Sequence, residues 1–253
     1  MTSTLIQRKK PKDGSETSTS FQITNNIQQT IEEPKFTLPE EIFLLALKDQ
    51  AGHPSFWNDC LSSGLRGCVL IELAFRDRIQ LEEQGLRQKD IRKRKVIVKD
   101  DTLTGDVILD ETIKHMRSTQ PCSLENWVEY LTGDSWNPLH LKYQLRNVRE
   151  RIAKNLVEKA DVSAKKDVIR KIQNLLLAGW NHDPQHYDKR DLALAVMAHE
   201  SDVLENALET LSDEDYDLAM SRMNQLVKMD VETECRRKNS NEFLWAVFAV
   251  FIK

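Results

Sequence analysis

Lys142, Arg146 and Arg149 stand four and three residues apart in the stretch Asn137-Pro-Leu-His-Leu-Lys-Tyr-Gln-Leu-Arg-Asn-Val-Arg-Glu-Arg-Ile-Ala-Lys-Asn-Leu156. In an α-helix each residue turns by about 100°, so these spacings set all three cations in one narrow stripe. Leu141, Leu145, Val148, Ile152 and Leu156 form the neighbouring stripe, which predicts a buried face. The arginines are therefore expected at the edge of a core, where a pocket wall can form. Packed cations repel one another, so such a cluster suits an anion, and the planar guanidinium fork matches phosphate. A solvated helix face is the plainer reading of the same residues, and spacing alone leaves both open.

Other cationic and aromatic residues extend the chemistry. Arg87-Gln-Lys-Asp-Ile-Arg-Lys-Arg-Lys95, with Lys99 beyond, reads first as an exposed loop and hairpin and second as attraction to an anionic leaflet. Arg8, Lys9 and Lys10 are an ordinary charged terminus or a linear docking signal. Trp57, just ahead of a helix, either staples that helix to the core or places an amphipathic ring at a membrane interface. Arg66 lies between Gly64 and Gly67, which serve tight helix packing or ligand access. A continuous helix from Trp57 to Arg66 would hold them roughly 13 Å apart, so one shared pocket needs a late helix start or a bend.

Catalytic groupings are weak. Asn181-His-Asp-Pro-Gln-His-Tyr-Asp188 carries two histidines and two aspartates, but Pro184 interrupts any HxxxH ligand face, and a loop between helices is expected. His199, with Glu200 and Asp202, reads as a helix end. The sequence contains no P-loop, no GxSxG elbow and no GxGxxG fingerprint. No catalytic residue, metal ligand set or cofactor is therefore assigned.

The whole chain must hold these groups in place. Its 253 residues, 40% of them hydrophobic, suffice for a core. The net charge of −4 and a pI near 5.9 argue against wrapping nucleic acid. Cys60, Cys68, Cys122 and Cys235 lack CxxC spacing and fit reduced thiols. No signal peptide is recognisable. The most apolar run, Phe243-Leu-Trp-Ala-Val-Phe-Ala-Val-Phe-Ile252, is well short of the roughly 20 residues that span a bilayer and predicts a buried helix. The expectation is a soluble chain with at most peripheral membrane contact.

Residues 1 to about 35 lack an apolar period and are expected to form a disordered tail. A first helix follows Pro39, with glutamates in its opening turn. A second covers about 60–77, capped by Asn58 or Asp59, or by Ser62 or Ser63 if it starts later. Short strands are predicted near Arg78–Glu82 and Lys95–Lys99, with a turn at Thr104–Asp106 and a short strand at Val107–Leu109. Helical periods then run at about 110–118, 123–131, 138–159, 167–180, 188–199, 202–210, 213–228 and 232–252. This pattern implies a mainly α fold: one helical domain over 36–253, a helix-bundle core wrapped by amphipathic helices, with a few short strands.

Long segments of the chain resemble the Golgi phosphoprotein 3 family. The strongest are Ser55-Phe-Trp-Asn-Asp-Cys-Leu-Ser-Ser-Gly-Leu-Arg-Gly-Cys68 and Trp136-Asn-Pro-Leu-His-Leu-Lys-Tyr-Gln-Leu-Arg-Asn-Val-Arg-Glu-Arg-Ile-Ala-Lys-Asn-Leu-Val-Glu-Lys159. Thr104–Glu111, Ser201–Asn206 and Asn241–Val247 support them. The resemblance implies a mostly helical fold that binds phosphatidylinositol 4-phosphate on the cytosolic face of trans-Golgi membranes. It further implies head-group contacts from Trp57, Arg66, Arg146 and Arg149, with Lys142 as an additional candidate from its spacing. It implies an adaptor, not an enzyme, that retains glycosyltransferases by linking their cytosolic tails to the COPI coat, with Arg8, Lys9 and Lys10 as the coat-binding cluster. An unconventional myosin is a further implied partner, and self-association another. In the family a long segment with an apolar β-hairpin follows the position of Lys159, and it serves membrane insertion and self-association. Here a short bridge, about Ala160–Lys166, leads straight into the next helix, so both properties are expected to be weakened. Asp213-Glu-Asp-Tyr-Asp217 offers an acidic counterpart to basic cargo tails, although a helix N-terminal turn favoured by the dipole is the stronger explanation. An enzyme acting on a phosphorylated small molecule, and a nucleic-acid module using Arg87–Lys99, are the alternatives from other classes.

Overall fold

Many of the helices of this chain open on short polar side chains that accept from their first N–H groups, as Asp106, Ser123, Asp188, Ser212, Asp230 and Asn241 do. The computed structural model describes residues 34–47, 59–83, 90–161, 163–238 and 240–252. α1 (Leu38–Ala46) opens on a turn in which the Thr37 N–H donates to the Glu40 carboxylate at 2.8 Å. α2 (Asp59–Phe75) follows, with its central residues fully buried. β1 (Ile79–Leu81) and β2 (Val96–Val98) pair antiparallel, Ile79 opposite Val98 and Leu81 opposite Val96. Then come α3 (Val107–Arg117), α4 (Leu124–Thr132), a 3-10 helix (Pro138–Tyr143), α5 (Val148–Lys159) and α6 (Ala164–Leu176). α7 (Lys189–Glu200), α8 (Leu204–Leu208), α9 (Asp213–Val227), α10 (Val231–Cys235) and α11 (Glu242–Phe251) follow, and two further 3-10 turns lie at Ile91–Lys93 and Pro184–His186.

α2 is the axis of the core, packing against α1, α4, α7 and α11. Its two glycines explain how it packs so closely. A Cβ at position 64 would lie 1.9 Å from the Ser201 hydroxyl oxygen, and one at position 67 would lie 2.6 Å from the Phe251 ring. Helix packing, not ligand access, is what both glycines serve.

Three carboxylates are buried among these helices: Glu40, Glu41 and Glu72. Each is neutralised. Glu72 accepts from Arg190 at 3.0 Å, from Arg76 at 2.9 Å and from the Leu38 N–H at 2.8 Å. Glu41 faces Lys171 at 2.6 Å and Arg190 at 3.3 Å, and Glu40 faces Lys159 at 2.9 Å. Arg190 also donates to the Phe36 carbonyl at 2.7 Å. The network ties α1 to α2, α5, α6 and α7. Burial still raises the Glu41 pKa, its desolvation outweighing the cations nearby.

The mainly helical reading of the sequence holds, as do the two strands of the hairpin. Several elements differ. Val107–Leu109 is not a strand but the first turn of α3, because the Asp106 carboxylate accepts from the N–H groups of Ile108 and Leu109 at 2.8 and 3.1 Å. α2 begins at Asp59, so Ser62 and Ser63 lie inside it, while Asn58 lies outside the described residues. The expected helix 232–252 divides in two, Asn241 capping the second part through the Leu244 N–H at 3.1 Å. The expected end of α6 at 180 comes earlier, where the Gly179 N–H turns back to the Asn174 carbonyl at 2.7 Å. The predicted tail falls in residues 1–33, outside the described residues. Among the described residues no helix is long and apolar enough to cross a membrane, and all four cysteines are free thiols.

Glu72→Ala removes the shared partner of two arginines and of one backbone N–H. Urea denaturation followed by circular dichroism is expected to give a loss of about 3 kcal/mol, since two partly buried arginines and the Leu38 N–H lose a shared charged acceptor.

Candidate functional site

The predicted helix 138–159 is broken, and the break creates the site. Pro138–Tyr143 winds as a 3-10 helix, Gln144 is extended, and Asn147 sits in the left-handed region at φ 51°. Asparagine tolerates that conformation better than most residues. Leu145 explains why a continuous helix does not form. Its N–H donates to the Leu131 carbonyl at 3.0 Å instead of bonding within its own segment. The Gln144 side chain donates to the Thr132 carbonyl at 3.1 Å. Both acceptors belong to the C-terminal turn of α4, whose last carbonyls have no partner within the helix.

Arg66 completes this junction from α2. It is only 6% exposed. Its Nε donates to the Leu131 carbonyl at 3.3 Å and its Nη2 to the Leu145 carbonyl at 2.7 Å. Nη1 donates to the Ser62 carbonyl and hydroxyl, each at 3.0 Å. A cation at the C-terminal end of α4 is also well placed against the helix dipole. Burial pulls the Arg66 pKa down to about 10, the nearby Arg149 charge lowers it further, and Asp134 and Glu150 oppose both. Arg66 therefore remains a cation at neutral pH, in a place where a second cation already costs free energy.

The chain leaves this junction as α5. The Asn147 side chain does not cap the first N–H groups of this helix. Arg149 lies in the first turn, half-buried, and Arg146 lies one residue before the cap, exposed. Arg146 forms no ion pair among the described residues. Arg151, which the spacing argument did not single out, props the turn. It pairs with Glu111 at 2.7 Å and donates to the carbonyls of Arg146 at 3.4 Å and Val107 at 3.3 Å. A helix N-terminus with flanking arginines offers both N–H donors and charge to an anion.

The sequence-predicted residues thus meet differently from the single stripe. Arg66 and Arg149 are electrostatic neighbours, and Arg146 adjoins Arg149 at the start of α5. Lys142 belongs to the 3-10 helix, exposed, with its ammonium 4.8 Å from the Tyr143 ring centroid. Leu145, Val148, Ile152 and Leu156 are buried as expected, but Leu141 is 38% exposed, because the 3-10 winding rotates it off that face. Trp57 and the cluster Arg8, Lys9, Lys10 lie outside the described residues, as do residues 87–89 of the second basic segment. Of that segment, Arg94 is not an exposed cation. It is buried, bonded to the Glu82 carbonyl at 2.7 Å and to Glu242 at 2.7 Å. The signal missed in sequence was Gln144 and Asn147, whose polar side chains suit a break in the helix.

The histidine-bearing loop is structural. Asp183 receives both ends of the Arg237 guanidinium at 2.6 Å, which lowers its pKa to about 2. His199 marks the end of α7, with Nδ1 2.9 Å from Glu200. The acidic Asp213–Asp215 run is the first turn of α9, capped by Ser212. No cluster of His, Cys, Asp and Glu able to hold a metal occurs among the described residues.

Comparison with known proteins gives a match to the family model Golgi phosphoprotein 3 (GPP34) over residues 38–243. The chain is also similar to Vacuolar protein sorting-associated protein 74 of Schizosaccharomyces pombe, 36% identical over 225 residues that span 77% of this chain and 67% of the relative. That share of this chain is fewer residues than the alignment is long, so the relative carries insertions here. This accords with α5 and α6 being joined by residues 160–163 alone.

Arg66→Ala leaves the Leu145 carbonyl without its guanidinium donor and the Leu131 carbonyl with only the Leu145 N–H. It is expected to cost about 2–4 kcal/mol in urea unfolding, whereas Arg146→Ala should shift stability by less than about 0.5 kcal/mol. Equal effects from the two would show that Arg66 does not hold the junction.

Proposed function

The chain belongs to the Golgi phosphoprotein 3 family of non-catalytic adaptors, and from that premise we propose that it binds phosphatidylinositol 4-phosphate at the cytosolic face of trans-Golgi membranes. In general character it is a Golgi-associated trafficking protein. The observation that carries the finer reading is the uncapped start of α5 with Arg146 and Arg149 beside it and Arg66 beneath. A phosphomonoester there accepts from the first-turn N–H groups of α5 and the two outer guanidiniums. It also offsets the repulsion between Arg149 and Arg66. Arg66 acts as a positioning residue whose charge adds to the field, since its donors are largely committed to backbone carbonyls. Trp57 lies just ahead of α2 in sequence and supplies an interfacial ring, and Lys142 adds charge at the rim.

The adaptor function follows from the same reading. Residues 36–253 act as one binding unit, with the first 35 residues as a tail. That unit retains glycosyltransferases by holding their basic cytosolic tails, and the exposed acidic turn of α9 is complementary to them in charge. Arg8, Lys9 and Lys10 link the complex to the COPI coat. An unconventional myosin is a further partner, and self-association is weakened by the short link between α5 and α6. No bond is made or broken in any of these steps, so no cofactor is needed.

Liposome sedimentation tests the head-group assignment. Phosphatidylcholine vesicles with phosphatidylinositol 4-phosphate should bind the chain in preference to vesicles with an equal charge of phosphatidylserine. Arg146→Ala/Arg149→Ala should abolish that preference, at a loss of about 10- to 100-fold in affinity. Binding should also weaken as salt rises from low to physiological strength. Unchanged selectivity in the double variant removes the pocket.

A further inference from the structure

The surface beside this cationic site is apolar to an unusual degree. Trp136 is 93% exposed, Leu139 75% and Val107 67%, and Leu141 is partly exposed as well. Three of these four fall in the loop and 3-10 helix that lead into Arg146. The fourth opens α3 and is tied to the same place, because Arg151 donates to the carbonyls of both Val107 and Arg146. Single exposed apolar side chains are ordinary, but several gathered beside a charged site mark a surface that meets a partner.

The segment is also held still. Asn137 caps the 3-10 helix through the Leu139 N–H at 3.1 Å. His140 is fixed by the Ser135 hydroxyl at 3.1 Å and by the Tyr130 ring, 4.2 Å between centroids. Trp136 and Leu139 are therefore presented outward from a braced turn, which lowers the ordering cost of burying them against something else. Lys142 and Arg146 rise from the same stretch. A second copy of the chain placed face to face on it would bring these cations together. The interfacial zone of an anionic bilayer accepts both kinds of side chain at once: indole and leucine among the upper acyl carbons, ammonium and guanidinium among the phosphates.

We propose that Trp136, Leu139 and Leu141, with Val107, form a rim that seats in the membrane interface around the head-group site. The proposal rests on the lipid-binding reading above and adds a second, apolar contribution to it. Head-group recognition then selects the lipid, while the rim supplies depth. In a chain whose α5 and α6 are joined by residues 160–163 alone, that depth comes from this turn.

The test uses the full chain and the variant Trp136→Ser/Leu139→Ser. Two probes are compared: phosphatidylcholine vesicles with phosphatidylinositol 4-phosphate, and soluble inositol 1,4-bisphosphate measured by calorimetry. Both side chains are at the surface, so circular dichroism should report an unchanged fold. Vesicle affinity should fall roughly tenfold or more, with affinity for the soluble head group unaltered. Quenching of tryptophan fluorescence by brominated lipid should lose a component in Trp136→Phe. Unaltered vesicle affinity overturns the rim. A parallel fall for both probes also overturns it, making the segment a wall of the pocket. A dimer that dissociates in the variant while vesicle affinity stays constant assigns the face to self-association instead. Should the wild-type chain ignore the soluble head group yet lose vesicle affinity in the variant, the pocket reading fails and the rim stands.

Discussion

The hydrogen bonds from the Arg66 guanidinium to the carbonyls of Leu131 and Leu145 hold the architecture of the candidate site together. They join three elements that are far apart in sequence: α2, the end of α4 and the segment before α5. With Leu145 committed sideways, residues 144–147 cannot continue the preceding 3-10 helix into α5. The chain must restart, and α5 begins at Val148 without a side-chain cap from Asn147. A buried arginine thus helps to set where a new helix starts.

That arrangement carries an electrostatic cost. Arg66 is desolvated and has Arg149 as a neighbour, and both effects lower its pKa. The C-terminal carbonyls of α4, together with Asp134 and Glu150, compensate in part. The remainder is what the proposed anion would offset. Elsewhere the fold handles buried charge in the opposite way. Glu40, Glu41 and Glu72 are each matched by basic side chains from neighbouring helices, so that network is closed and has no call for a ligand. The contrast separates a structural cluster from a binding one: in the first, opposite charges meet, and in the second, like charges are held together by the fold.

Charge alone gives a surface long-range attraction but little grip. The exposed indole and leucines beside the cations supply short-range contact of another kind. Ionic attraction weakens with salt, whereas apolar burial does not weaken in the same way. A peripheral protein that uses both can find its membrane by charge and stay by burial. The short connection between α5 and α6 makes this division of labour more relevant here, since residues 160–163 leave no room for an apolar hairpin.

The mainly helical fold, the paired strands and the buried stripe of Leu145, Val148, Ile152 and Leu156 were all legible in the sequence, because apolar periodicity reports directly which face avoids water. Asp106 was read as part of a turn leading into a strand: a carboxylate in a turn and one that caps a helix look alike until the N–H groups it accepts from are known. Spacing also grouped Lys142, Arg146 and Arg149, but on a geometry that the structure does not adopt. A continuous helix satisfies Lys142, Arg146 and Arg149 as a stripe, and nothing local forbids it. Only the tertiary structure decided otherwise, because the free carbonyls at the end of α4 and the guanidinium of Arg66 compete for the backbone of Leu145. Those partners lie 14 and 79 residues away in the chain, beyond the reach of any local pattern.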